Sequence, residues 1–265
     1  MDPGDPMYRS GPNFSDAGWR DFSGFVATPR ENRLLMEATV HNIYQRTALD
    51  AFSRADRPPH VVICLRCPAE QIRSSFYFAQ HNFRRISSAL CFPQFVELLL
   101  DGDETALAHA IPDRQVFDIL RRSLPRARYV DWIRVWTAAL PAVQLIEFNE
   151  LRLNPHATVE AIGRALGIAA EPWHNLEFPV VNPTRHYRFP RLNRTARALS
   201  RRYGLRNLRR ALHPIYRKVQ APDQRTAVDR AEVAALQDLA RYFHSANQQL
   251  SREFSVPVSH WWQPA

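Results

Sequence analysis

The stretch HVVICLRCPAEQIRSSF, residues 60–76, decides how this chain reads. Val61 to Leu65 is an unbroken apolar run rich in β-branched residues, with no polar alternation. Such a run predicts a strand buried on both faces, the kind found in parallel sheets. Pro68 suits the first position of a helix, where its missing N–H is no loss. Ala69 to Gln80 then predicts a helix. Arg66 stands at the junction with a charge that does not titrate. A strand running into a helix N-terminus beside a guanidinium can hold an anion. Ser74 lies about two turns into that helix, where its hydroxyl could reach the same anion.

Working outward, Leu34 to Glu37 is a short apolar run ending in a carboxylate, and His41 to Arg54 carries a helical pattern that Arg57-Pro58-Pro59 ends. Further helices are predicted over Pro93 to Leu100, Gln115 to Arg122 and Ala127 to Leu140. In the last of these Tyr129, Trp132, Ile133 and Trp136 recur at helical spacing, which predicts a core stripe. Val143 to Phe148 reads as a second buried strand. Asn154-Pro155 marks a turn, and the helix from Thr158 to Leu166 stops at Gly167. Asp229 to Phe254 reads as a long amphipathic helix with Val233, Leu236, Leu239, Ala240, Phe243 and Leu250 on its apolar side. Strands alternating with helices predict an α/β fold with parallel strands. There are no internal repeats. The organisation expected is an irregular segment over 1–30, with Trp19, Phe22 and Phe25 as docking points, and one domain over 31–262.

The 265 residues suffice for a sizeable core. The net charge of +9 points to acidic partners such as phosphate, sulfate or polyanions. The excess is almost all arginine, because Lys218 is the only lysine. Three cysteines, Cys64, Cys67 and Cys91, suit a reducing compartment rather than a disulfide framework. Cys64 and Cys67 form a C-x-x-C, but no second pair exists to complete a zinc site, and no metal is expected. The Pro/Gly-rich N-terminus has no apolar leader core, and no run reaches transmembrane length. The expectation is a cytoplasmic protein with no membrane contact.

Four segments in order resemble the P-loop sulfotransferases, particularly the bacterial and heparan-type branch. They are LLMEATVHNIY at 34–44, VVICLRCPAEQIRSSF at 61–76, WTAALPAVQLIEFNELRLNPHATVEAIGRALGI at 136–168 and FHSANQQLSREFSVPVSHW at 243–261. The second is similar to the family's L-R-x-P-x-x-R-x-x-S element, and the third to its W…P…fEdL…P…i…LG stretch. The resemblance implies a three-layer parallel sheet with a helical C-terminal lobe over about 193–256. It implies 3′-phosphoadenylyl sulfate as co-substrate, with Arg66 and Ser74 on its 3′-phosphate. Glu37 would be the base that takes the proton from a hydroxyl or amine of a small-molecule or glycan acceptor. Ala38, Val40 and Asn42 depart from the Lys, Pro and Tyr the family often has there, and His41 is a second candidate base. In TRHYRFPRLNR at 184–194, Arg185, Arg188 and Arg191 stand where the family has a loop approaching nucleotide and acceptor. A solvated basic surface explains those arginines equally well.

The family's G-x-x-K-x-G-T-[ST] loop, which grips the 5′-phosphosulfate, has no counterpart in this sequence. The first βα unit is therefore expected to be incomplete. Loss of such a clamp removes about 3–4 kcal/mol of transition-state stabilisation per donor. Two other readings follow from the residues: a catalytically inactive binding or scaffold protein on the same fold, and a basic nucleic-acid-binding protein using the arginines of 185–217. No recognised nucleic-acid module supports the last.

Overall fold

The computed structural model describes residues 42–83, 85–168, 176–178 and 230–262. Two five-residue strands form a parallel pair, β1 over Val61–Leu65 and β2 over Val143–Glu147, with Val61 opposite Val143 and Leu65 opposite Glu147. Both boundaries follow from composition. The apolar run of β1 begins after Pro58-Pro59, and β2 stops where the chain turns into a helix at Phe148. The described residues therefore have an α/β architecture, mostly helical, with a small two-stranded parallel sheet.

Helix α1 spans Arg46–Ser53, preceded by a 3-10 turn over Asn42–Tyr44. Helix α2 spans Pro68–Tyr77 and continues as a wider turn over Phe78–Phe83. Then come α3 (Phe92–Asp101), α4 (Glu104–Ala110), α5 (Arg114–Leu120), α6 (Ser123–Ala127) and α7 (Tyr129–Ala139). After β2 follow α8 (Phe148–Leu153), α9 (Pro155–Ala165), the 25-residue α10 (Arg230–Phe254) and a final 3-10 turn over Ser259–Trp262. Helices α4 and α6 carry no strong sequence signal because each is a short segment set by its neighbours. Asp103 and Asp113 nonetheless cap α4 and α5 by accepting from Ala106 N at 2.8 Å and Val116 N at 3.0 Å. Gly167, at φ +69°, ends α9 in the left-handed conformation that favours glycine. Its successor Ile168 donates back to the Gly163 carbonyl at 2.8 Å.

The chain divides into two compact units. Among the described residues, one gathers 42–67, 126–168, 176–178 and 243–261, and the other 68–83, 85–125, 230–242 and 262. In the first, Ile63 and Leu65 of β1 pack with Tyr129, Val130, Ile133 and Trp136 of α7, Leu250 of α10, and Val256, Val258 and Trp261 of the tail. The aromatic stripe of α7 is core, as its spacing predicts. Trp136 is held further by its indole N–H, which donates to the Ile43 carbonyl at 2.9 Å. In the second unit Phe76, Phe92 and Phe95 are all buried, with the Phe76 and Phe95 rings stacked at 5.0 Å. There Glu232 of α10 accepts from Arg73 Nε at 2.6 Å and from the Tyr77 hydroxyl at 2.8 Å.

One expectation is corrected. Strand β1 is buried on one face, not both: Ile63 and Leu65 face the core, whereas Val62 and Cys64 are exposed. A continuous apolar run signals two-sided cover only where layers pack on both faces, and the described residues supply one. No described helix is long and apolar enough to cross a membrane. Glu37, His41 and the arginines at 185, 188 and 191 lie outside the described residues, as do 1–30 and much of the predicted C-terminal lobe.

Candidate functional site

Parallel strands aim their carboxyl ends in one direction, and open α/β sheets place their ligands there. In this protein that end carries Arg66 and Cys67 after β1, with Glu147 closing β2. The register puts Glu147 opposite Leu65, on the core-facing side, and its side chain is only 2 % exposed. A carboxylate this enclosed requires donors. Oε2 accepts from the backbone N–H groups of Asn149 at 2.6 Å and Glu150 at 3.1 Å, so Glu147 caps α8. Oε1 accepts from the indole N–H of Trp261 at 3.2 Å and lies 3.4 Å from Nε2 of His260.

The tail that brings Trp261 and His260 here is anchored by the apolar residues Val256 and Val258. The Cys67 thiol donates to the Trp261 carbonyl at 3.3 Å, and Tyr129 of α7 meets the Trp261 ring edge-on at 6.3 Å. The Arg66 guanidinium lies over the Phe148 ring, 5.2 Å from its centroid, in a cation–π placement. Three chain positions therefore meet at one strand end: 66–67, 147–148 and 260–261. His260 is 40 % exposed, so the cluster has an enclosed carboxylate and a solvent-facing imidazole.

Burial pushes the Tyr129 phenol well above its usual range, and Tyr44, Cys67 and Cys64 add to this while Arg66 opposes it. Tyr129 is a neutral hydroxyl at any physiological pH. The Tyr44 phenol is likewise raised by burial and opposed by Arg126, whose guanidinium lies 5.3 Å from its ring centroid. Although Cys64 is exposed as a residue, its thiol is partly desolvated on the strand pair. Desolvation first, and the Glu147 charge second, push it up to about 11 from 9.0. The thiolate is the reactive form, so at pH 8 Cys64 holds about a hundredth of the thiolate of an unperturbed cysteine. Alkylation of the folded protein by iodoacetamide at pH 8, followed by peptide mass spectrometry, is expected to label Cys64 roughly a hundredfold more slowly than the same residue in urea. Equal rates would contradict this.

Of the residues singled out by sequence, Arg66 is at this strand end. Ser74 is the seventh residue of α2, half-buried, in the other compact unit. Trp261 entered only as the closing tryptophan of the 243–261 segment, and Glu147, Phe148 and His260 were given no role. The one available signal was the position of Glu147 between a strand and a helix, which is an N-cap position. Glutamate is not among the residues preferred there. Among the described residues no group of three or more His, Cys, Asp or Glu side chains is arranged to hold a metal ion. The chain matches no family model, no curated protein and no solved structure.

Proposed function

We propose that this chain is a sulfotransferase-like protein that binds the adenosine 3′-phosphate end of 3′-phosphoadenylyl sulfate through Arg66. The observation that carries this reading is the strand–Arg66–Pro68–helix element beside a parallel second strand. β1 ends at Leu65, Arg66 follows, and α2 starts at Pro68. A guanidinium with a forked set of donors next to a helix N-terminus suits a phosphate monoester. On this reading Glu37 is the base, Arg188 is a further contact to the nucleotide, and the acceptor is a hydroxyl or amine of a small molecule or glycan. Sulfuryl transfer is an in-line displacement, in which catalysis lies in positioning and charge stabilisation.

Calorimetry with adenosine 3′,5′-bisphosphate tests it. Binding is expected, and Arg66→Ala is expected to weaken it about ten- to a hundredfold, the value of charge-assisted hydrogen bonds to one phosphate. No binding to the intact chain, or equal affinity in Arg66→Ala, rules the donor site out.

A further inference from the structure

We propose that residues 255–261 form a hinged strap across the carboxyl ends of β1 and β2. The strap pivots at Ser255 and opens while the rest of its compact unit stays folded, and its opening controls access to Cys67 and Glu147. The inference goes beyond the donor reading and does not depend on it. Trp261 is the residue that closes the strap. Its carbonyl accepts from the Cys67 thiol at 3.3 Å, just after β1. Its indole N–H donates to the Glu147 carboxylate at 3.2 Å, at the end of β2. One buried residue therefore spans both strand ends, with Tyr129 edge-on to its ring at 6.3 Å. Cys67, Tyr129, Glu147 and the whole strap belong to the same compact unit.

The sequence sets both the stiffness of the strap and its pivot. Pro257 fixes its own φ and biases Val256 to an extended conformation. Residues two apart in an extended chain share a face. Val256 and Val258 are accordingly buried, and Pro257 between them is exposed. Residues 255–258 belong to no helix or strand, so burial of Val256, Val258 and Trp261 holds the strap rather than a hydrogen-bond ladder. Segments held in this way open at lower free energy than core helices and strands. The pivot itself is strained. Ser255 donates to the Ser251 carbonyl at 2.9 Å as α10 ends, and its φ is +55°. Glycine is the usual residue at such a position after a helix. A serine there strains the closed form, and opening relieves the strain. Phe243, Ala246 and Leu250 of α10 are buried, which gives the pivot a fixed base.

Alkylation of Cys67 by iodoacetamide in the full-length chain, followed by peptide mass spectrometry, reads opening, because the thiol is bonded to Trp261 while the strap is closed. Ser255 is exposed, so substitutions there change backbone preference without removing packing. Ser255→Gly is expected to slow Cys67 labelling about fivefold, the strain of a left-handed residue less the freedom that glycine gains on opening. Ser255→Val, β-branched and poorly suited to positive φ, is expected to speed it by at least about the same factor. Amide exchange gives a second readout. After correction for intrinsic rates, the amides of 256–261 should exchange at least about tenfold faster than those of Ile133 and Trp136, buried in α7 of the same unit. Equal labelling in wild type and both variants overturns the proposal. So do tail amides no faster than those of α7, since Trp261 is then a fixed part of the core. No nucleotide enters this test, so the strap can fail while the donor reading stands, and the reverse.

Discussion

Glu147→Ala is expected to lower the unfolding free energy by about 3 kcal/mol, read as a lower urea midpoint with an unchanged slope. The value is assembled from what the carboxylate holds. Loss of the α8 cap costs about 1 kcal/mol. Buried donors left without an acceptor cost about 1–3 kcal/mol each, and the indole N–H of Trp261 is one of them. Glu147→Gln retains one acceptor oxygen and should lose roughly half as much, since its amide can satisfy the helix end or the indole but not both. The Ala variant should also loosen the tail, because the Cys67 thiol bond is then its main polar tie to the strand ends. Faster amide exchange confined to residues 256–262 would register that. An Ala variant within about 0.5 kcal/mol of wild type, the range of ordinary surface changes, would show that Glu147 is not the cap described here.

Trp136→Ala should be still more damaging, at about 3–5 kcal/mol, the usual cost of truncating a large buried aromatic. Trp136 is 2 % exposed and joins three elements. Its ring lies on α7 against the core cluster, its edge meets Phe52 of α1 at 5.9 Å, and its N–H holds the Ile43 carbonyl ahead of α1. Trp136→Phe separates these contributions. It keeps most of the apolar volume and gives up the hydrogen bond to the half-buried Ile43 carbonyl, for a loss of about 1–3 kcal/mol. If both variants lose the same amount, packing is not what Trp136 contributes. These costs bear on function because α7 also carries Tyr129, which packs on Trp261 at the strand ends.

The elements that the sequence specified best are those whose signal is local. The β1 run, Pro68 at the start of α2, the stripe of α7 and the stop at Gly167 each depend on residues within one turn or one strand. β-branched runs, a fixed proline φ and a 3.6-residue period act at that range. The parallel pairing of β1 with β2 was also legible, because two such runs separated by helices have few other arrangements. The exposed face of β1 was not. Val62 and Cys64 are as apolar as Ile63 and Leu65, and their exposure depends on which layers cover the sheet.

The candidate site divides in the same way. Sequence alone identified Arg66 as a charge at a strand end before a helix, because the strand, the arginine and the proline are contiguous. It could not identify Glu147, since a glutamate ending an apolar run looks like any solvated strand end. It could not identify His260 either, a lone histidine near a proline. Tertiary structure buried Glu147 and surrounded it with donors, and brought the tail to it across more than a hundred residues. The energy of that meeting lies in desolvated, long-range hydrogen bonds and a shared apolar core. Those terms depend on which surfaces come together, and no local pattern in the chain records them.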